Sequence, residues 1–92
     1  MQFEWDAAKA AANRRKHGVS FAEAQTVFDD PDALVFFDDE HSDAEDRYRI
    51  IGMSSAGRAL VVSYTERDEA TRIISARKAT RAEERLYRDR RP

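Results

Sequence analysis

Lys16-His17-Gly18-Val19-Ser20-Phe21 carries one of the two histidines of a 92-residue chain that has no cysteine. Histidine exchanges a proton near neutral pH, so His17 beside Lys16 is a candidate for acid–base work close to an anion. The other histidine lies in Asp38-Asp39-Glu40-His41-Ser42-Asp43. That segment invites a metal, but it lacks the glycine of a calcium loop and a second histidine nearby. It reads as a solvated acidic loop, either a gate over a basic face or a contact for a basic partner. The remaining chemistry belongs to arginine, whose planar fork suits phosphate.

Charge along the chain is segregated. Positions 29 to 46 hold nine acids and no lysine or arginine, while the rest carries all 16 basic residues and nine acids. The net charge of -2 therefore hides a cationic remainder able to meet a polyanion. The absence of cysteine excludes a disulfide framework and a thiolate zinc site. No apolar run reaches the roughly 20 residues of a membrane helix, and the N-terminus lacks the pattern of a signal peptide. The expectation is one cytoplasmic domain spanning residues 1–92.

The elements that must position these groups follow from pattern. Phe3-Glu4-Trp5 alternates as a short strand, and Asp6 caps a helix from Ala7 to Lys16 that Gly18 ends. Ser20-Phe21-Ala22-Glu23 is a capping box opening a second helix, with Val19 stapled to Ala24. Asp29-Asp30-Pro31-Asp32 stops it. Strands are expected over Ala33 to Phe37, Arg47 to Ser54, Arg58 to Thr65 and Thr71 to Lys78, with a mobile loop over Asp38 to Asp46. Thr80-Arg81-Ala82-Glu83 opens a C-terminal helix. Consecutive strands with short turns define an α+β fold: a small antiparallel sheet with two N-terminal helices and one C-terminal helix.

Strand alternation then sorts the side chains. Tyr48, Ile50, Leu60, Val62, Tyr64, Ile74 and Ala76 share the face expected to pack under helices. Arg47, Arg49, Ile51, Val61, Ser63, Thr65, Arg67, Ile73, Ser75 and Arg77 share the other, which an antiparallel sheet can leave open. Three successive strands thus offer Arg47, Arg67 and Arg77 as a phosphate-tracking surface, provided the register holds.

Phe3-Glu4-Trp5-Asp6, Lys9, Asn13, Lys16-His17-Gly18-Val19-Ser20-Phe21 and Ala24 occur in order. They are followed by Gly52, Gly57-Arg58, Tyr64-Thr65, Arg67 and Arg72-Ile73-Ile74-Ser75-Ala76-Arg77. Together these resemble a BrnT-type toxin of a type II toxin–antitoxin pair, from about Phe3 to Tyr87. The resemblance implies a RelE-like fold and ribonuclease activity without metal or other cofactor, which blocks translation and arrests growth. It also implies a BrnA-like antitoxin with a ribbon-helix-helix segment, through which the pair would reach operator DNA. On that basis Arg47, Arg67 and Arg77 are expected to polarise the RNA phosphate, with His17 as acid, base or RNA-positioning group. Lys16, Arg49 and Tyr87 are expected to bind substrate, Tyr87 as the exposed C-terminal tyrosine of some RelE-like toxins. Two alternatives stand at the level of residues: His17 caps the first helix, and Tyr87 packs beside Leu86. Tyr64 reads as core, and Trp5 as core or a partner contact. The alternative function is a non-catalytic nucleic-acid-binding or protein-binding subunit of a repressor complex.

Overall fold

Asp6 opens the first helix by accepting the backbone N–H of Lys9 on Oδ1 at 3.0 Å. Helix α1 runs Ala7–His17 and stops where Gly18 turns left-handed at φ 68°, a conformation glycine adopts without strain. Ser20 then caps α2, Phe21–Thr26, through its Oγ and the N–H of Glu23 at 3.0 Å. The reciprocal half of that capping box is missing, because the Glu23 carboxylate is held elsewhere, by Arg58 and Ser54.

The computed structural model describes residues 1–90, the last by its backbone. Five strands, β1 Gln2–Glu4, β2 Leu34–Phe37, β3 Arg47–Met53, β4 Ala59–Arg67 and β5 Ala70–Lys78, form one sheet in the order β1-β5-β4-β3-β2. The four later strands pair antiparallel, as expected. The first does not: β1 lies parallel to β5 at one edge of the sheet, and the two helices carry the chain from there across the sheet to β2 at the other edge. Helix α3, Arg81–Arg90, closes the described chain.

One face of the sheet packs under α1 and α2. Val19, Phe21, Ala24, Val27, Ile50, Leu60, Val62, Tyr64, Ile73 and Ala76 form its core, with Trp5 and Tyr48 packed against it. Tyr64 and Trp5 thus sit where the sequence reading put them. Ile73 does not. Between Ser63 and Tyr64 the register with β5 slips, so Ser63 faces Ser75 but Tyr64 faces Ile73. Ile74 is the extra residue of a bulge, and the bulge turns Ile73 into the core and Arg72 to the opposite face.

The opposite face is only half open. Leu34, Ile51, Val61 and Tyr87 form a second, smaller core there, which seats α3 on the sheet. On the first face Gly52 leaves no room for a side chain, since a Cβ would stand 2.9 Å from Val27 Cγ1. The 3₁₀ turn Val27–Asp29 that ends α2 therefore lies directly on β3.

Candidate functional site

The uncovered half of the second face is a groove of about 620 Å³. Arg47, Arg49, Ser63, Ser75 and Arg77 line it from the sheet, and Asp38, Asp39, Glu40 and His41 line it from the adjoining turn. The ladder explains the sheet side: Arg49, Ser63 and Ser75 stand opposite one another on β3, β4 and β5, a row about 10 Å wide. Arg47 is two residues before Arg49 and so on the same side. Among the described residues, the buried side-chain polar atoms left without a hydrogen-bond partner are Nε of Arg47 and Nε of Arg49. Folded proteins rarely leave such donors orphaned, and a ligand anion is one way to satisfy them.

Arg77 is present but engaged. Its Nη1 and Nη2 donate to the two carboxylate oxygens of Glu83 at 2.7 and 2.8 Å. Glu83 also completes the capping box of α3, accepting the N–H of Thr80 at 2.8 Å while its own N–H donates to Thr80 Oγ1. Hydrogen bonding from Arg77, against the opposing effect of burial, holds the Glu83 carboxyl at about 2 instead of its ordinary 4.5. A carboxyl with a depressed folded pKa stabilises the protein above its unfolded value, and that stability disappears as pH falls toward the folded one. The melting-temperature advantage of the native chain over Glu83→Gln should therefore be full above about pH 4.5 and shrink between there and pH 2. Thermal melts of both chains across that window check it; a constant gap would show that the fork contributes nothing through charge.

The other residues singled out by sequence are not gathered here. Arg67 keeps the expected face but lies at its far end, salt-bridged to Glu45 at 3.1 Å beside a separate depression lined by Gln2, Glu4 and Asp68. Thr65 stands between it and the groove, buried and donating to the carbonyl of Asp46 at 2.6 Å. Lys16 and His17 end α1, which packs on the helical side of the sheet, away from the groove. Tyr87 is buried, 2% exposed, and its hydroxyl donates to Asp30 Oδ2 at 2.5 Å. Its role is to dock α3, so it is not exposed for substrate; the side chains that dock it, Leu34, Ile51 and Val61, occupy the face assumed to be open.

The acidic loop differs most from expectation. Asp39–His41 forms a 3₁₀ turn, and Ser42 ties it down by donating to the carbonyl of Asp38 at 2.6 Å and accepting the N–H of Arg47 at 3.0 Å. The N–H of Asp38 donates to the carbonyl of Arg47 at 2.8 Å, extending the sheet by one bond. His41 Nδ1 lies 3.1 and 3.0 Å from the two oxygens of Asp38. Burial pushes the Asp38 carboxyl up, but the hydrogen bond from His41 and the charges of His41 and Arg49 outweigh it and hold the group below the usual carboxylate range. Among the described residues, no three His, Cys, Asp or Glu side chains gather as a metal site would need. No described helix is long and apolar enough to cross a membrane.

A mostly antiparallel sheet with two helices on one face, and a third helix beside an arginine-lined groove on the other, defines a small α+β domain whose site suits an anionic ligand. The chain matches the family model described as the ribonuclease toxin BrnT of type II toxin–antitoxin systems over residues 5–83. Its fold is similar to that of the Brucella abortus ribonuclease toxin BrnT, known from a crystal structure at 1.1 Å resolution. The TM-score is 0.68 and the identity 30%, over 88% of this chain and 99% of that one. No curated protein sequence matches the chain. The chain belongs to the BrnT family of ribonuclease toxins, endoribonucleases of type II toxin–antitoxin systems.

Proposed function

We propose that the groove lined by Arg47 and Arg49 is where this toxin cleaves RNA, and that it does so without a metal ion. The observation that carries the reading is the pair of buried, unpartnered Nε donors on Arg47 and Arg49, two arginines that line the groove. In such cleavage the ribose 2′-oxygen attacks the adjacent phosphorus, the bond to the 5′-oxygen breaks, and negative charge grows on the phosphoryl oxygens. Fixed guanidinium donors stabilise that charge most where water is excluded. Arg77 lines the same groove, its fork held by Glu83. Cleavage of cytoplasmic RNA would halt translation and arrest growth, and a BrnA-like antitoxin with a ribbon-helix-helix segment would restrain the toxin and bring the pair to operator DNA.

Purified protein incubated with RNA in EDTA should yield fragments ending in 2′,3′-cyclic phosphate and beginning with a 5′-hydroxyl. Mass spectrometry of the fragments reads both ends. Cleavage that appears only when magnesium is restored, or ends carrying 5′-phosphate, would remove this mechanism. Growth arrest relieved by co-expressing the adjacent reading frame tests the antitoxin.

A further inference from the structure

We infer that His41, held by Asp38, is the general base of the cleavage reaction, an assignment that rests on the groove being the cleavage centre. Neither residue was expected to take part in chemistry, and His17, which was, lies on the other side of the sheet.

The geometry is that of a proton-transfer dyad. An ionised carboxylate can only accept, so the 3.1 and 3.0 Å contacts from the two Asp38 oxygens place the imidazole proton on Nδ1. The lone pair is then on Nε2, the nitrogen turned away from Asp38. Asp38 itself is buried, while the His41 side chain is 61% exposed and lines the same groove as Arg47, Arg49 and Arg77. A buried anchor with an accessible imidazole is what a base needs to reach a hydroxyl on a bound strand. The turn is not loose: Ser42 and the backbone of Arg47 fix both its ends. Arg49 acts on the same carboxylate, so the group that holds phosphate charge also keeps Asp38 ionised and accepting.

The step balances as follows. His41 Nε2 takes the proton of the 2′-hydroxyl as the 2′-oxygen bonds to phosphorus. The phosphorus–5′-oxygen bond breaks, and the 5′-oxygen takes a proton from water. The imidazolium, stabilised by Asp38, returns its proton to solvent. Products are a 2′,3′-cyclic phosphate and a 5′-hydroxyl, with no oxidant, reductant or metal consumed. Asp38 is a positioning residue: it sets the tautomer and stabilises the imidazolium without touching RNA.

The test is single-turnover cleavage of a short RNA, in EDTA, by the native chain, His41→Ala, Asp38→Asn and His17→Ala, with binding measured separately by fluorescence anisotropy. His41→Ala should cleave about 10²–10⁴-fold more slowly while binding RNA within about threefold of native, and added imidazole should restore part of the rate. Asp38→Asn should lose about tenfold or more in rate with binding unmoved. His17→Ala should cleave as the native chain does. Because His41 is exposed, its replacement leaves folding intact, and circular dichroism confirms this for each variant. His41→Ala cleaving at the native rate, while Arg49→Ala is inactive, would overturn the base assignment and leave the groove standing. Inactivity of the native chain itself would overturn both.

Discussion

Arg49→Ala should lower the rate of RNA cleavage about 10²–10³-fold, equivalent to about 3–4 kcal/mol of transition-state stabilisation, the loss that follows removal of one fixed donor from an oxyanion site. Arg49 stands on β3 opposite Ser63 and two strands from Ser75. Arg49 also lines a smaller recess with Phe36, Ile51, Val61, Glu83 and Leu86. Its Nε has no partner in the folded chain, so no internal bond must break when an anion arrives. Arg49→Lys separates charge from geometry. Lysine keeps the charge but loses the planar fork, and it should recover binding while recovering little of the rate. Arg67→Ala, at the far end of the same face and already paired with Glu45, should retain most of the cleavage activity. The measurement is single-turnover cleavage beside thermal melting. An Arg49→Ala chain that cleaves within threefold of native would move the reaction out of this groove.

Alternation made the sheet legible. Leu60-Val61-Val62-Ser63-Tyr64 and Arg47-Tyr48-Arg49-Ile50 place arginine on one face and aromatic or aliphatic core on the other, as the structure has them. What alternation could not carry was the point where it breaks. Arg72-Ile73-Ile74-Ser75 holds two adjacent isoleucines, and one of them is the bulged residue. That doubling was the available signal, and a bulge moves every residue before it to the other face. Arg67 shows a different limit: its face was right, but parity says nothing of distance along a strand. Tyr87 was misplaced because Leu34, Ile51 and Val61, apolar on a face assumed open, mark the seat of α3. The Asp38–His41 spacing of three residues, one turn of helix, was also readable. It was overlooked because the surrounding acids read as solvated, and only the fold shows that the turn closes onto the arginines.

Asn13→Ala should destabilise the fold by about 2–4 kcal/mol, more than an ordinary surface change of helix α1 could. Helix α1 buries one residue, and it is polar. Asn13 Nδ2 donates to the carbonyl of Val19 at 3.0 Å and to that of Ala76 at 2.9 Å, while its Oδ1 accepts the N–H of Ala76 at 3.1 Å. On β5, strand β1 pairs only with Ala70, Thr71 and Arg72. Beyond that, the Asn13 amide takes the place of a neighbouring strand at Ala76. Alanine would leave one buried N–H and two buried carbonyls unpaired, each costing on the order of 1–3 kcal/mol before relaxation. For a chain of this size, a loss in that range lowers the melting temperature by about 10 °C or more. Asn13→Asp is the sharper variant: it keeps the shape and can accept from Ala76, but it cannot donate to either carbonyl and sets a charge against both. It should be no more stable than alanine. A melting temperature within about 2 °C of native for both variants would show that the clamp is dispensable. The same clamp gives the Lys16–Phe21 segment a packing role on the helical side of the sheet. Asn13 holds Val19, and Arg58 Nη2 donates to the carbonyl of Gly18 at 3.2 Å while its fork grips Glu23. The junction between α1 and α2 is thus tied to β5 and to the β3–β4 turn. Residues that hold helices to a sheet carry as strong a pattern as residues that react.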